Sequence, residues 1–231
     1  MASLLSIITP SYNKHEYVQA TINSVLNQSF TDYDYWLIDN STDQLTRPLV
    51  KAKAQTDARI KYLEIDFTPT ERTTVYIPAY IFNQVIAEID TKYIFYLSDD
   101  DLVYPSCLAQ VIDFMESDPT KYFVCYFTLD RLYWRDGEWL KDSSITVSGR
   151  FGKGTTHPSV DCKLDGGQII FRTDCLKSLS YPFAPENLRD ASHSDGLFMD
   201  RLAKHYTFYP LPTNQALIGH RLTPKSTWTR P

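Results

Sequence analysis

Glycine is scarce in this chain, with eight in 231 residues, and none of them builds a GxGxxG or GxxxxGK[ST] pattern. A glycine-rich phosphate cradle is therefore excluded, and any phosphate must be held by other means. Cysteine is scarcer still. Cys107, Cys125, Cys162 and Cys175 are widely spaced and include no CxxC pair, which argues against a zinc site or a disulfide scaffold and fits a reducing compartment. No apolar stretch approaches the ~20 residues that span a bilayer. The opening "MASLLSIITPSYN" lacks the basic start of a secretory signal. The expectation is a soluble, cytoplasmic chain whose association with a membrane would be peripheral. Positive charge is in deficit, 23 Lys and Arg against 28 Asp and Glu, giving a net charge of −5. That balance argues against a nucleic-acid partner. An anionic substrate would need a local cation or a bound metal. Repeats, low-complexity tracts and linkers are absent too.

What the chain does contain is alternation. "LLSIIT" (4–9), "YDYWLID" (33–39), "RIKYLEI" (59–65) and "KYIFYL" (92–97) read as strands, the first as a nearly continuous apolar run of the kind buried on both faces. Between them, Val18, Ile22, Val25 and Leu26 recur at helical spacing, residues 47–58 read as a second helix, and "PAYIFNQVIAEI" (78–89) as a third. Such β-α alternation implies a mostly parallel sheet covered by helices, with ligands outside the carboxyl ends of its strands. The second half is mixed α+β. "CLAQVIDFMES" reads as a helix, "KYFVCYFTLDRLYW" as one strand, "WRDGEW" as a hairpin turn, and residues 143–163 as a loop suited to a lid. "GGQIIFR", "HSDGLFMDRLAKHY" and "TFYPLP" follow as strand, helix and strand.

The chemistry concentrates at strand ends. "SDDD" places Asp99, Asp100 and Asp101 directly after a buried strand. Three adjacent carboxylates repel one another unless water or a cation intervenes. Helix capping would use one of them, whereas oxygen-only ligands suit Mg²⁺ or Mn²⁺ bridging to phosphates. In an extended backbone Asp99 and Asp101 face one way and Asp100 the other. Across the sheet, "TPSYN" and "IDNSTD" follow the first two strands. Tyr12 could stack on a base, and Asp39 could accept from a base or ribose or equally close an Asx-turn. Asp195, at the start of a helix, matches a capping box with Ser192, and that local pattern favours a cap over a general base. His193 and His220 stand isolated.

Taken together, "SIITPSYNKHEYVQATINSVLNQSF", "LIDNSTD", "YLSDDDLVYP", "LDGGQIIFRTDCL" and "SDGLFMDRLAKHYTFYPLP" resemble, in order, the motifs of family 2 glycosyltransferases of the GT-A fold, and among them the bacterial spore-coat polysaccharide enzymes. The resemblance implies one Rossmann-like GT-A domain over 1–231, with a nucleotide-binding half at 1–105 and an acceptor and base half at 106–231. It implies an inverting, metal-dependent transfer from a UDP- or dTDP-sugar to a carbohydrate or other hydroxyl acceptor, in cell-surface polysaccharide synthesis. Carried over by residue, it makes Thr9, Tyr12, Lys14, Asp39, Arg72 and Asp99 donor contacts, and Asp100 and Asp101 ligands of Mn²⁺ or Mg²⁺. Asp195 becomes the catalytic base, against its local reading, with Asp165 as the reserve. Ser194-Asp195 stands where many members have Glu-Asp. The family's closing Tyr-Arg-x-His segment reads "GHRLTPKS" here, which leaves His220 outside the expected ligand set. A sugar nucleotidyltransferase, or a nucleotide-sugar-binding module without catalysis, is the alternative.

Overall fold

The computed structural model of the chain describes residues 2–153, 160, 163–179 and 194–224. Its frame is four parallel strands, β1 (Leu5–Ser11), β2 (Tyr33–Asp39), β3 (Ile60–Glu64) and β4 (Tyr93–Tyr96), in the order β3-β2-β1-β4. Leu5, Ile7, Tyr35, Leu37, Tyr93 and Phe95 belong to one buried cluster, while Ile8, Ile38 and Ile94 face a second. Burial on both faces is why β1 and β4 read as apolar runs, while the edge strand β3 is largely exposed, and each fully buried Leu or Ile contributes ~1.5–3 kcal/mol.

Helices α1 (His15–Leu26) and α5 (Cys107–Ser117) supply the first cluster, while α4 (Ile77–Glu88), α6 (Thr173–Lys177) and α7 (Ser194–Ala203) supply the second. Helix α2 (Thr46–Ala54) ends four residues before the expected boundary at 58. The sheet continues through β10 (Ile169–Arg172), antiparallel to both β4 and β6 (Val124–Tyr126). It finishes with β11 (Thr207–Pro210), parallel to β6, and an edge strand β9 (Phe151–Gly152). Six of the eight strands thus run one way. A second sheet, β5-β12-β7-β8, is formed by β5 (Leu102–Val103), β7 (Thr128–Arg135), β8 (Glu138–Ile145) and β12 (Ala216–Leu222).

Several local expectations change. "KYFVCYFTLDRLYW" is two strands in two sheets, broken at Phe127. Gln168 stitches that break, its carbonyl accepting from Phe127 N at 3.1 Å and its side-chain amide donating to Phe127 O at 2.6 Å. Of the expected lid, residues 143–145 complete β8 and 151–152 form β9, while 154–159 and 161–162 lie outside the described residues. Helix α3 (Pro69–Thr74) was not anticipated, although Thr68 and Glu71 form a capping box with proline at its start. Nor was β12. The hairpin turn is as expected, with Asp136 and Gly137 both at positive φ, 53° and 90°.

Candidate active site

Strands β1, β2 and β4 end at one edge of the main sheet, and Ser11 pairs with Asp39 there. Because β10 runs antiparallel to β4, the turn that precedes it, a 3₁₀ turn at Gly166–Gln168, reaches the same edge. The three aspartates diverge from this point. Asp99 is buried and accepts from the Tyr12 N–H at 2.9 Å. Asp100 turns to the Lys14 ammonium, with Thr223 Oγ1 at 3.4 Å. Asp101 is fully buried and accepts from the Arg221 N–H at 3.2 Å, with His220 Nδ1 also 3.2 Å away.

Asp165 caps the 3₁₀ turn. It accepts from Gly167 N at 2.8 Å, and Gln168 Oε1 accepts in return from Asp165 N at 2.9 Å. Among the described residues, Asp101, Asp165 and His220 offer ligand atoms that all lie within 4.8 Å of one another. Asp195, in the first turn of α7, accepts from Gly166 N at 3.2 Å and from Gly196 N at 2.9 Å. A Cβ on Gly166 would lie 3.5 Å from Asp195 Cβ, and one on Gly167 would lie 3.2 Å from Asp165 Oδ1 and 3.6 Å from Asp101 Oδ2. The first is ordinary van der Waals contact and the second is tight by a few tenths of an ångström, so it is Gly167 that eases the approach of Asp165 to the turn. The capping partner expected at Ser192 and the isolated His193 lie outside the described residues.

Burial and mutual repulsion shape the ionisation of this group. Burial, followed by the Asp100 charge, pushes Asp99 up to about 7. Burial and then Asp165 push Asp195 up to about 6. Asp165 is raised by burial and Asp101 against the opposing pull of His220. Burial works against a charge on His220, but Asp101, Asp165 and Asp100 outweigh it and raise it to about 10. Arg221, lowered by burial, donates to the Asp100 carbonyl, to Tyr17 O at 3.1 Å and to Thr21 Oγ1 at 2.9 Å. Five carboxylates (Asp99, Asp100, Asp101, Asp165, Asp195) thus face three cations (Lys14, His220, Arg221). When all are ionised, an excess of two negative charges is left for a ligand to neutralise.

The β1 and β2 ends form the other side. Asp39 is buried, closes an Asx-turn by accepting from Ser41 N at 3.1 Å, and pairs with Arg47 Nε at 2.8 Å. Tyr12 is 43% exposed, and the Arg72 guanidinium lies 4.7 Å from its ring centre while donating to Asn40 O at 2.8 Å. Thr9 is fully buried within β1, its hydroxyl accepting from Tyr35 at 3.3 Å, so it stands behind the crevice. Asn13, at φ 52°, accepts from Thr42 N and Asp43 N at 2.9 and 3.0 Å and locks the two loops together.

The structure therefore brings Asp99, Asp100, Asp101, Asp165, Asp195 and Lys14 to one place, with Tyr12 tied to it through Asp99. Asp101 rather than Asp100 belongs to the three-ligand group, and His220, which sequence reasoning left aside, completes it. Arg47, Asn13 and Arg221 were missed. Arg47 and Asn13 carried no distinguishing local signal, and His220 and Arg221 sit on the unrecognised strand β12.

Comparison with known proteins bears on the family and the fold. A model described as glycosyl transferase family 2 matches residues 6–173. Protein CgeD of Bacillus subtilis is 24% identical over 238 residues, covering 98% of this chain and 52% of that protein. An Escherichia coli protein named UDP-Glc:alpha-D-GlcNAc-diphosphoundecaprenol beta-1,3-glucosyltransferase WfgD is 29% identical over 112 residues, 48% of this chain and 41% of its own length. The crystal structure of S. aureus TarS 1-349 in complex with UDP-GlcNAc superposes with a TM-score of 0.71 at 18% identity, over 96% of this chain and 59% of that one. The chain thus spans about half the length of the curated relatives it matches, or less. The fold is the Rossmann-like GT-A α/β fold.

Proposed function

The chain belongs to glycosyl transferase family 2, and from that premise we propose that it moves a sugar from a UDP- or dTDP-sugar to an acceptor hydroxyl with inversion at the anomeric carbon. In this reading Asp195 accepts the acceptor's proton while that oxygen bonds to the anomeric carbon. The bond from that carbon to the diphosphate breaks on the opposite side, and the nucleoside diphosphate departs. The observation that carries the proposal is the position of Asp195. It is half-buried, fixed by two backbone N–H groups, raised to about 6, and set against the same 3₁₀ turn that Asp165 caps. A base titrating just below neutral pH is ionised in the cell and still basic enough to take a proton.

Two carboxylates and an imidazole form a donor set that fits Mn²⁺ or Mg²⁺, with the nitrogen ligand favouring Mn²⁺. Such an ion, held by Asp101, Asp165 and His220, would supply charge for the departing diphosphate. Lys14 fixes the carboxylate of Asp100 and Arg221 its backbone carbonyl, keeping the aspartate run in shape. On the other side, Tyr12, with Arg72 against its ring, and Asp39, held by Arg47, form the nucleoside end, and Asp99 lies between that end and the carboxylate group. UDP enters this reading from the TarS complex with UDP-GlcNAc. Sites for a polysaccharide acceptor fall to the second half of the chain, which completes the division at residues 105 and 106.

The test is product analysis with UDP- and dTDP-sugars against hydroxyl acceptors, in Mn²⁺ and in EDTA. Metal-dependent release of nucleoside diphosphate supports the reading. Release of pyrophosphate would identify a nucleotidyltransferase, and tight donor binding without any release would identify a binding module.

A further inference from the structure

Further along the same sheet edge, beside the 3₁₀ turn that opens β10, lies a cavity of about 340 Å³. It opens where β6 ends at Tyr126 and β11 ends at Pro210, and it is bordered by the start of β7, the segment 146–149 that follows β8 and the loop after β11. Strand β6 runs in the same direction as β4, so the cavity and the catalytic turn share one rim. Gln168, the last residue of that turn, binds the backbone of the lining residue Phe127 from both sides. The cavity is therefore built onto the catalytic turn.

Its lining carries no charged side chain. Thr128, Ser148, Thr213 and Asn214 contribute hydroxyls and an amide, and Pro210 and Pro212 contribute apolar faces. The Thr213 hydroxyl accepts from Gln215 N at 3.1 Å and keeps its own proton to donate, while the side chains of Ser148 and Asn214 make no hydrogen bond among the described residues. Arg150, the basic residue next to the lining in sequence, lies instead against Tyr209, 5.0 Å from its ring centre. A carboxylate or phosphate seated here would lose part of its water without gaining a counter-charge, which costs free energy. A sugar ring has the opposite requirements, a rim of hydroxyls around apolar C–H faces. The volume is at the lower end of the ~300–1,000 Å³ typical of small-molecule sites, which is room for one such ring.

We propose that this cavity binds one uncharged sugar unit of the acceptor beside the catalytic turn. The inference rests on the transferase reading and deepens it by naming the acceptor class as neutral and hydroxyl-rich, in contrast to an anionic chain.

The test is saturation-transfer NMR of the whole protein with methyl glucoside and methyl N-acetylglucosaminide as neutral probes, and methyl glucuronide and glucose 1-phosphate as charged ones. Two cavity-filling variants, Ser148→Trp and Asn214→Leu, are measured alongside, with the UDP-induced thermal shift as the control for folding and for the donor site. The neutral glycosides are expected to bind the wild type, and to bind each folded variant about tenfold or more weakly, a loss of ~1.4 kcal/mol. The charged probes should be weaker than the neutral ones by a similar factor, and the UDP shift should be unchanged. Absence of binding by both neutral probes, equal binding of charged probes, or undiminished neutral binding in both variants would overturn the proposal. Should Ser148→Trp fail to fold, Asn214→Leu decides alone. Loss of the UDP shift in the wild type would refute the transferase reading separately and leave the glycoside result standing.

Discussion

Replacing Asp195 with asparagine should move activity and stability in opposite directions. On the activity side, general-base assistance is typically worth ~10²–10⁴-fold, or about 3 to 5 kcal/mol of barrier. Asparagine keeps the shape of the side chain but cannot accept a proton. On the stability side, the ionised carboxylate is held in a site that disfavours it, since burial and Asp165 raise it from the ordinary 3.8 to about 6. At pH 8 both folded and unfolded chains carry the charge, and the folded state bears a penalty of about 3 kcal/mol. The variant removes that penalty. Against this, its amide must present N–H to one of the two backbone donors at Gly166 and Gly196, which costs about 1–3 kcal/mol. The net expectation is a gain of about 0–2 kcal/mol at pH 8, which would raise Tm by up to ~4–8 °C. The gain should shrink as pH falls through 6 and be gone below 4, where the wild-type carboxyl is protonated in both states. The assay is nucleoside-diphosphate release together with thermal unfolding at pH 8 and pH 4.5. Transfer retained within threefold would refute the base assignment. Loss of both activity and several degrees of Tm would reduce Asp195 to a structural cap, and Asp165 would be tested next.

Other expectations follow from the same geometry. His220→Ala should weaken Mn²⁺ binding by tenfold or more, roughly the 1.4 kcal/mol of a tenfold factor or greater, as measured by isothermal titration. Undiminished affinity would remove His220 from the ligand set. The kcat/KM of the wild type should rise with pH and level off above about 6, because Asp195 must be ionised to act, and activity at pH 5 should be about a tenth of the plateau. A flat profile from pH 5 to 8 would contradict that role. Gln28→Leu should destabilise the fold by about 2–4 kcal/mol in urea unfolding. Its buried amide donates to Ser24 O, Val103 O and Tyr104 O and accepts from Leu108 N at the start of α5, so a near-neutral effect would show that those groups find other partners.

Much of the first half of the chain could be read from the sequence, because its information is local. An apolar run that stops at "SDDD" or "IDNSTD" marks a strand end, and parallel strand ends converge whatever the loops between them do. The same locality explains the failures. Asp101 meets the Arg221 backbone across 120 positions, through a strand that pairs in parallel with β7, and no pattern near His220 announces that pairing. Phe127 divides a continuous apolar run because Gln168 binds its backbone from another element, so the break is written in the partner and not in the run. Asp195 was ambiguous for the same reason, since a helix cap and a catalytic base look alike until the Gly166 N–H and Asp165 are placed beside it. Helix α3 is different. Thr68, Pro69 and Glu71 spelled out its start, and only the shortness of the segment concealed it.

The measurement that bears most directly on a metal-assisted nucleotide-sugar site is a thermal-shift titration of the whole protein with UDP, dTDP, GDP, ADP and CDP, each in Mn²⁺ and in EDTA. Ligand at a hundredfold excess over its Kd stabilises the native state by ~2.7 kcal/mol, which for a chain of this size raises Tm by ~5–11 °C. A shift with a pyrimidine diphosphate that disappears in EDTA, and is lost in Asp101→Asn, is the expected result. No shift with any diphosphate, or one indifferent to both metal and Asp101, would contradict the assignment of this carboxylate cluster.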